Sequence, residues 1–137
     1  MSYAGDLTPH EAWTKLEQGA VLVDVRTKAE WMHIGVPDTG ASLREPLFIQ
    51  WTFPGGVPNP KFVSELHQQV PAENAPELVF LCRSGVRSVA AAHAATQAGY
   101  TSYNVLEGFE GELDRYGERT VNGWKNRGLP TGSGGVK

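Results

Sequence analysis

The amino-acid sequence predicts a single α/β domain, a central, mainly parallel sheet with helices on both of its faces. Three observations carry that prediction. Segments of helical periodicity alternate with short apolar runs, the order produced when helices cross between parallel strands. Two of those runs, Ala20-Val21-Leu22-Val23-Asp24-Val25 and Leu78-Val79-Phe80-Leu81, are nearly continuous in apolar residues, as strands buried on both sides are. The length of 137 residues, 40% apolar and 20% charged, supplies one core and lies far from disordered composition. The domain is expected over residues 1–130, with 131–137 a disordered C-terminal tail.

The first helix starts after Thr8, which can cap it, with Pro9 at the first helical position and Glu11 at the reciprocal place of a capping box. Trp13 and Leu16 mark its buried face and Gly19 ends it. The strand 20–25 follows, and a second capping box, Thr27 with Glu30, opens a short helix carrying Trp31. From Val36 to Pro58 the periodicity fails, because Pro, Gly and Thr are mixed with Leu47, Phe48, Ile49, Trp51 and Phe53. This segment is too apolar for a free linker and too irregular for one element. It reads as an ordered excursion over the surface, beside the active site or at a subunit contact.

Asn59 as cap and Pro60 as first residue predict a helix with Phe62, Val63, Leu66 and Val70 on one face, stopped by Pro71. The strand 78–81 ends at Cys82. A turn over 83–87 leads into a small-residue helix from Ser88 to Ala98, closed by Gly99. Tyr103-Asn104-Val105-Leu106 is a further strand, followed by the glycine-broken 107–111. A short helix around Trp124 ends near Gly128. Trp13, Trp31, Trp51 and Trp124 read as core or interface fillers.

Composition excludes several classes of function. Twelve Lys and Arg against fifteen Asp and Glu give a net charge of −3, which leaves no excess to neutralise a nucleic-acid backbone or hold an anionic membrane. No apolar run approaches the roughly eighteen residues of a membrane span, and the first residues carry neither a basic nor an apolar leader, so a cytoplasmic location is expected. The one cysteine cannot form an internal disulfide. The four histidines, His10, His33, His67 and His93, lack metal-ligand spacing, so no metal is expected.

Cys82 lies where a buried strand ends and the chain turns directly into a helix, the position of ligand crevices in open α/β folds. The turn should act as an anion cradle. Its amides have no strand partner, the helix start adds unsatisfied N–H groups, and Gly85 permits a conformation that a Cβ would resist. Arg83 and Arg87 add two positive charges. Each of these favours thiolate over thiol and describes a nucleophile kept ionised and reachable. A lone cysteine ending a strand is commonly just a small buried hydrophobe, but a structural thiol has no need of two guanidinium groups and a glycine in such a turn.

Cys82-Arg83-Ser84-Gly85-Val86-Arg87-Ser88 resembles the active-site loop of single-domain rhodanese-type sulfurtransferases. Leu22-Val23-Asp24-Val25-Arg26 with Glu30 resembles the family's strand-and-helix signature. Leu106-Glu107-Gly108-Phe109 resembles its late strand and glycine turn, and Asn122-Gly123-Trp124 with Gly128-Leu129-Pro130 its terminal helix and exit. The departure lies after His33, where a long irregular segment stands in place of a short glycine turn and strand. No substrate-pocket residue is carried over from it.

The resemblance implies a rhodanese-like fold and transfer of sulfane sulfur through a Cys82 persulfide. The donor would be a small sulfur-containing anion such as thiosulfate, and the acceptor cyanide, a cellular thiol or a thiol-carrying protein. No metal or organic cofactor is implied. Arg83, Ser84, Gly85, Val86, Arg87 and Ser88 would bind the anion, and Asp24 with Arg26 would belong to a network that holds the loop. Glu30 is as readily a helix cap as a member of that network, and Glu107 reads as an ordinary turn residue.

Two other readings stand beside it. One is a non-catalytic module that carries a persulfide or binds a partner. The other is a cysteine-dependent phosphatase or arsenate reductase, whose loops are longer than the four residues between Cys82 and Arg87.

Overall fold

The structure, a computed structural model, describes residues 3–40 and 43–133. Five strands form the main sheet. In spatial order they are β1 (Gly5–Leu7), β8 (Ser102–Val105), β7 (Leu78–Leu81), β2 (Val21–Asp24) and β4 (Leu47–Phe48), every neighbouring pair parallel. Two small antiparallel ladders flank it, β3 (Val36–Pro37) with β9 (Thr131–Gly132) and β5 (Thr52–Phe53) with β6 (Val57–Pro58).

The central strands β2 and β7 are buried at every residue because both faces of the sheet are covered. Alternation along each strand divides the core in two. Val21, Val23, Leu78 and Phe80 face α3 (Phe62–Gln69) and α4 (Arg87–Gln97) and meet Phe62, Leu66, Ala91, Ala92 and Ala95. Leu22, Val79 and Leu81 face α1 (Pro9–Glu17) and meet Ala12, Leu16, Phe109 and Trp124. The alanines of α4 leave it free to lie close on the strands, and Trp51, Phe62 and Phe80 fill the space beside it with ring centroids 5.0 and 6.3 Å apart. Such aromatic pairs add about 1 kcal/mol each beyond the area they bury.

Both capping boxes form as the sequence suggests. The Glu11 amide donates to Thr8 Oγ1 at 3.2 Å while the Thr8 amide donates to Glu11 Oε1 at 2.9 Å. Thr27 and Glu30 repeat the arrangement at α2 (Lys28–Ile34). Gly19 follows the last turn of α1 as expected, and Gly35 caps α2.

Four segments differ from expectation. Strand β1 has no periodicity to announce it, being three residues long with an exposed Asp6 at its centre. Helix α3 begins at Phe62, not Pro60. Asn59 Oδ1 accepts from the Lys61 amide at 3.0 Å and the Asn59 carbonyl from the Phe62 amide at 3.3 Å, so the pair closes a turn ahead of the helix. The 36–58 segment is not solely a surface excursion. Leu47 and Phe48 pair with Val23 and Asp24 as the edge of the main sheet, and Trp51 packs on Phe62.

The fourth is the end of the chain. Around Trp124 a series of turns replaces the expected helix, with one helical contact from the Arg127 amide to the Gly123 carbonyl at 3.0 Å. Gly123 and Gly128 adopt φ of +98° and +80°, which interrupts helical propagation. The expected tail starts as structure, since Thr131 and Gly132 pair with Pro37 and Val36. Residues 134–137 lie outside the described residues.

Candidate active site

Cys82 sits immediately past the carboxyl end of β7, under a turn formed by Arg83, Ser84 and Gly85. The Gly85 amide donates to Sγ at 3.2 Å, and Ser88 Oγ lies 3.2 Å from the same sulfur. Helix α4 begins with Val86 as its N-cap residue, and no side chain among the described residues caps it. Its first amides therefore bring partial positive charge to the loop.

A second turn, over 106–111, determines the shape of this loop. Phe109 donates its amide to the Cys82 carbonyl at 2.8 Å, and Glu110 and Gly111 donate to the Arg83 carbonyl at 2.9 and 3.1 Å. The two turns approach so closely that each needs a glycine. At Gly85, with φ +97°, a Cβ would stand 2.1 Å from the Leu106 carbonyl oxygen. At Gly108, with φ +71°, it would stand 2.5 Å from the Arg83 carbonyl carbon. One consequence departs from the sequence reading: the thiol is 1% exposed, because the pinned turn folds over it. Arg83 and Val86 are the exposed residues of the loop, and Leu106 is exposed on the neighbouring turn.

The two loop arginines have different fates. Arg87 makes a bidentate pair with Glu30, Nη1 to Oε1 at 2.7 Å and Nη2 to Oε2 at 2.9 Å, so it is not a free charge for an anion. Burial pushes the Glu30 carboxyl up, but hydrogen bonds from Arg87 and the Thr27 amide, with the charges of Arg87 and Arg26, outweigh it and bring its pKa down from 4.5 to about 2. Glu30 thus caps α2 and ties it to α4 at once. Arg83 projects into solvent.

Asp24 and Arg26 pair with each other, both side chains fully buried, with Arg26 Nη2 2.8 Å from Asp24 Oδ2. Arg26 Nη2 also donates to the Gly35 carbonyl at 2.8 Å, and its guanidinium carbon lies 4.2 Å over the ring of Phe109. The pair reaches the loop through Phe109, whose amide holds the Cys82 carbonyl. Glu107 is engaged by Arg127 at 2.6 Å and by the Gly123 amide at 2.9 Å, which anchors the 122–128 turns. His67 bonds Tyr100 and His93 lies against Tyr3.

Sequence reasoning missed Asn104 and Asp6. Ser88 Oγ donates to Asn104 Oδ1 at 2.5 Å, and Asn104 Nδ2 donates to Asp6 Oδ1 at 3.0 Å. A carboxamide inside an otherwise buried strand requires partners, and that signal was available for Asn104. Nothing in the pattern around Asp6 sets it apart.

Strand, pinned turn and helix N-terminus thus meet around one cysteine. The family model of the Rhodanese-like domain matches residues 8–111, and the chain belongs to that family. It is 37% identical over 112 residues to an uncharacterised protein of Rickettsia rickettsii, the RP600 homologue, with 81% of each chain covered. The crystal structure of Rv0390 from M. tuberculosis is similar at a TM-score of 0.87 and 48% identity, over 94% of this chain and 97% of that one. A rhodanese-like domain protein from Staphylococcus aureus shares the fold at a TM-score of 0.58 and 19% identity, over 92% and 96% of the two chains.

Proposed function

We propose that the protein is a sulfurtransferase that moves sulfane sulfur through Cys82. The observation that carries this reading is the Gly85 amide aimed at Sγ, within a loop that opens the uncapped N-terminus of α4. Such donors stabilise negative charge on sulfur, in the thiolate and in the persulfide that follows. The Cys82 thiolate attacks the outer sulfur of thiosulfate, a new S–S bond forms, and the old one breaks as sulfite leaves with the electron pair. Cyanide or a cellular thiol then attacks the outer persulfide sulfur and returns Cys82 as thiolate. Arg83 attracts the anionic donor. Arg87 holds the loop through Glu30. The cytoplasm, with its pool of reduced thiols, suits this chemistry.

Incubation with thiosulfate is expected to add one sulfur atom to Cys82 by mass spectrometry, and cyanide to release it as thiocyanate. The Cys82→Ser variant is expected to do neither, and full turnover by that variant refutes the mechanism. The burial of Cys82 favours a second reading, a module that stores a persulfide for a protein acceptor. A persulfide that forms but is discharged only by a protein thiol selects it. Hydrolysis of p-nitrophenyl phosphate without sulfur transfer selects a phosphatase instead.

A further inference from the structure

Polar groups that the sulfur-transfer scheme leaves unused form a line across the sheet. Asp6 on β1 stands in register with Asn104 on β8, and Asn104 reaches Ser88 in the first turn of α4, beside Cys82. Ser88 and Asn104 are fully buried, whereas Asp6 is exposed. The geometry points to an Asp6–Asn104–Ser88 relay that decides where the proton of Cys82 resides, with Asp6 as a remote positioning residue. This rests on Cys82 being the reactive thiol and names what controls it.

The direction of each bond follows from what each group can do. An ionised carboxylate only accepts, and Asp6 Oδ1 already accepts from Tyr3 Oη at 2.9 Å and Asn104 Nδ2 at 3.0 Å. Asn104 must therefore turn its NH₂ to Asp6 and its carbonyl oxygen to Ser88. Ser88 has one proton, which it gives to that oxygen at 2.5 Å, so it offers a lone pair to the sulfur 3.2 Å away. A thiol donates its S–H into that lone pair. A thiolate would face it, unless Ser88 turned its proton to sulfur and left the buried Asn104 oxygen unpaired. The relay thus holds the proton on Cys82, against the Gly85 amide and the α4 N-terminus.

Other charges surround the thiol on the elements packed against it. Arg83 and Arg87 lie on the loop and α4, Glu30 on α2, Asp24 and Arg26 at the end of β2, and Glu107 and Glu110 on the 106–111 turn. His93 of α4 lies against Tyr3, with ring centroids 6.1 Å apart. Arg87 is tied to Glu30, Asp24 to Arg26 and Glu107 to Arg127. Of the charged groups among the described residues, Asp6 is the one that reaches Ser88 through Asn104. Replacing Asp6 by asparagine removes the demand for a donor, because two carboxamides satisfy each other in either orientation. Asn104 can then give its NH₂ to Ser88, and Ser88 its proton to sulfur.

Alkylation of Cys82 by iodoacetamide, followed from about pH 5 to about pH 9, tests this without any sulfur donor. The pH–rate profile of Asp6→Asn is expected to move to lower pH, with alkylation on its acidic limb about three- to tenfold faster than in the wild type. Ser88→Ala, which removes the acceptor, is expected to shift it the same way. Within the Ser88→Ala background, Asp6→Asn is expected to change the rate less than about twofold, the non-additivity of groups acting in series. An unchanged or slower Asp6→Asn protein overturns the relay, and so does an equal gain in both backgrounds, which marks a through-space charge effect.

Should Ser88→Ala fail to fold, the single exposed variant still decides. Its gain must persist at about 1 M salt, where the screening length is about 3 Å, and a gain abolished by salt overturns the relay. Persulfide formation from thiosulfate, measured separately, judges the sulfur-transfer reading. Its absence from the wild type refutes that reading while the alkylation profiles judge the relay.

Discussion

Gly85 and Gly108 carry a demand that no other residue type meets, since each faces the other turn's backbone where a methyl group would stand. With a positive φ and a Cβ 2.1 Å from the Leu106 carbonyl oxygen, Gly85→Ala is expected to cost about 2–4 kcal/mol, read by urea denaturation. A smaller loss, below about 1 kcal/mol, would mean that the two turns can move apart. Arg83 presents the opposite case, an exposed side chain with no hydrogen bond or ion pair among the described residues. Arg83→Ala is expected to leave the melting temperature within about 2 °C and to raise the thiosulfate KM about five- to tenfold at nearly constant kcat, the signature of lost ground-state attraction.

At the scale of elements, Glu30 and Arg87 join α2 to α4, and the depressed carboxyl pKa makes that joint sensitive to acid. A carboxyl whose pKa is lowered on folding contributes its full stability above its unfolded value, here 4.5, and loses it as pH falls toward about 2. The shift corresponds to about 3 kcal/mol. Glu30→Gln is expected to lower stability at neutral pH and to flatten the decline between about pH 4.5 and about pH 2, measured by denaturation at a series of pH values. A decline as steep as in the wild type would assign the acid sensitivity elsewhere. Elements announced by local chemistry were legible in the sequence: the Thr8 and Thr27 capping boxes, the apolar strands 21–24 and 78–81, and the loop after Cys82. What required the structure was non-local. Leu47 and Phe48 become strand only by pairing with Val23 and Asp24, and β1 only by pairing with residues 103–105. The commitment of Arg87 to Glu30, 57 positions away, likewise leaves no local trace. Cysteine, arginine and glycine in one turn were visible because the loop is continuous in sequence, whereas the line from Ser88 to Asn104 and Asp6 crosses two strands.

Across the whole molecule, β9 returns to β3 in the first third of the chain. Thr131 and Gly132 pair with Pro37 and Val36, and Trp124 Nε1 donates to the Pro130 carbonyl at 2.7 Å. A chain ending at Pro130 is expected to lose about 1 kcal/mol and a few degrees of melting temperature, because β3 then lacks its partner strand. Undiminished stability would show that β9 adds nothing to the core. The pinning of residues 82–83 by the amides of 109–111 has a consequence in time as well as in space. During synthesis the Cys82 sulfur emerges before the strand and turn that mould its surroundings, so a ribosome-bound fragment halted short of Gly111 would display an unshaped loop. The shape around the sulfur therefore arrives late, once β8 has docked and the following turn has closed over the backbone behind Cys82.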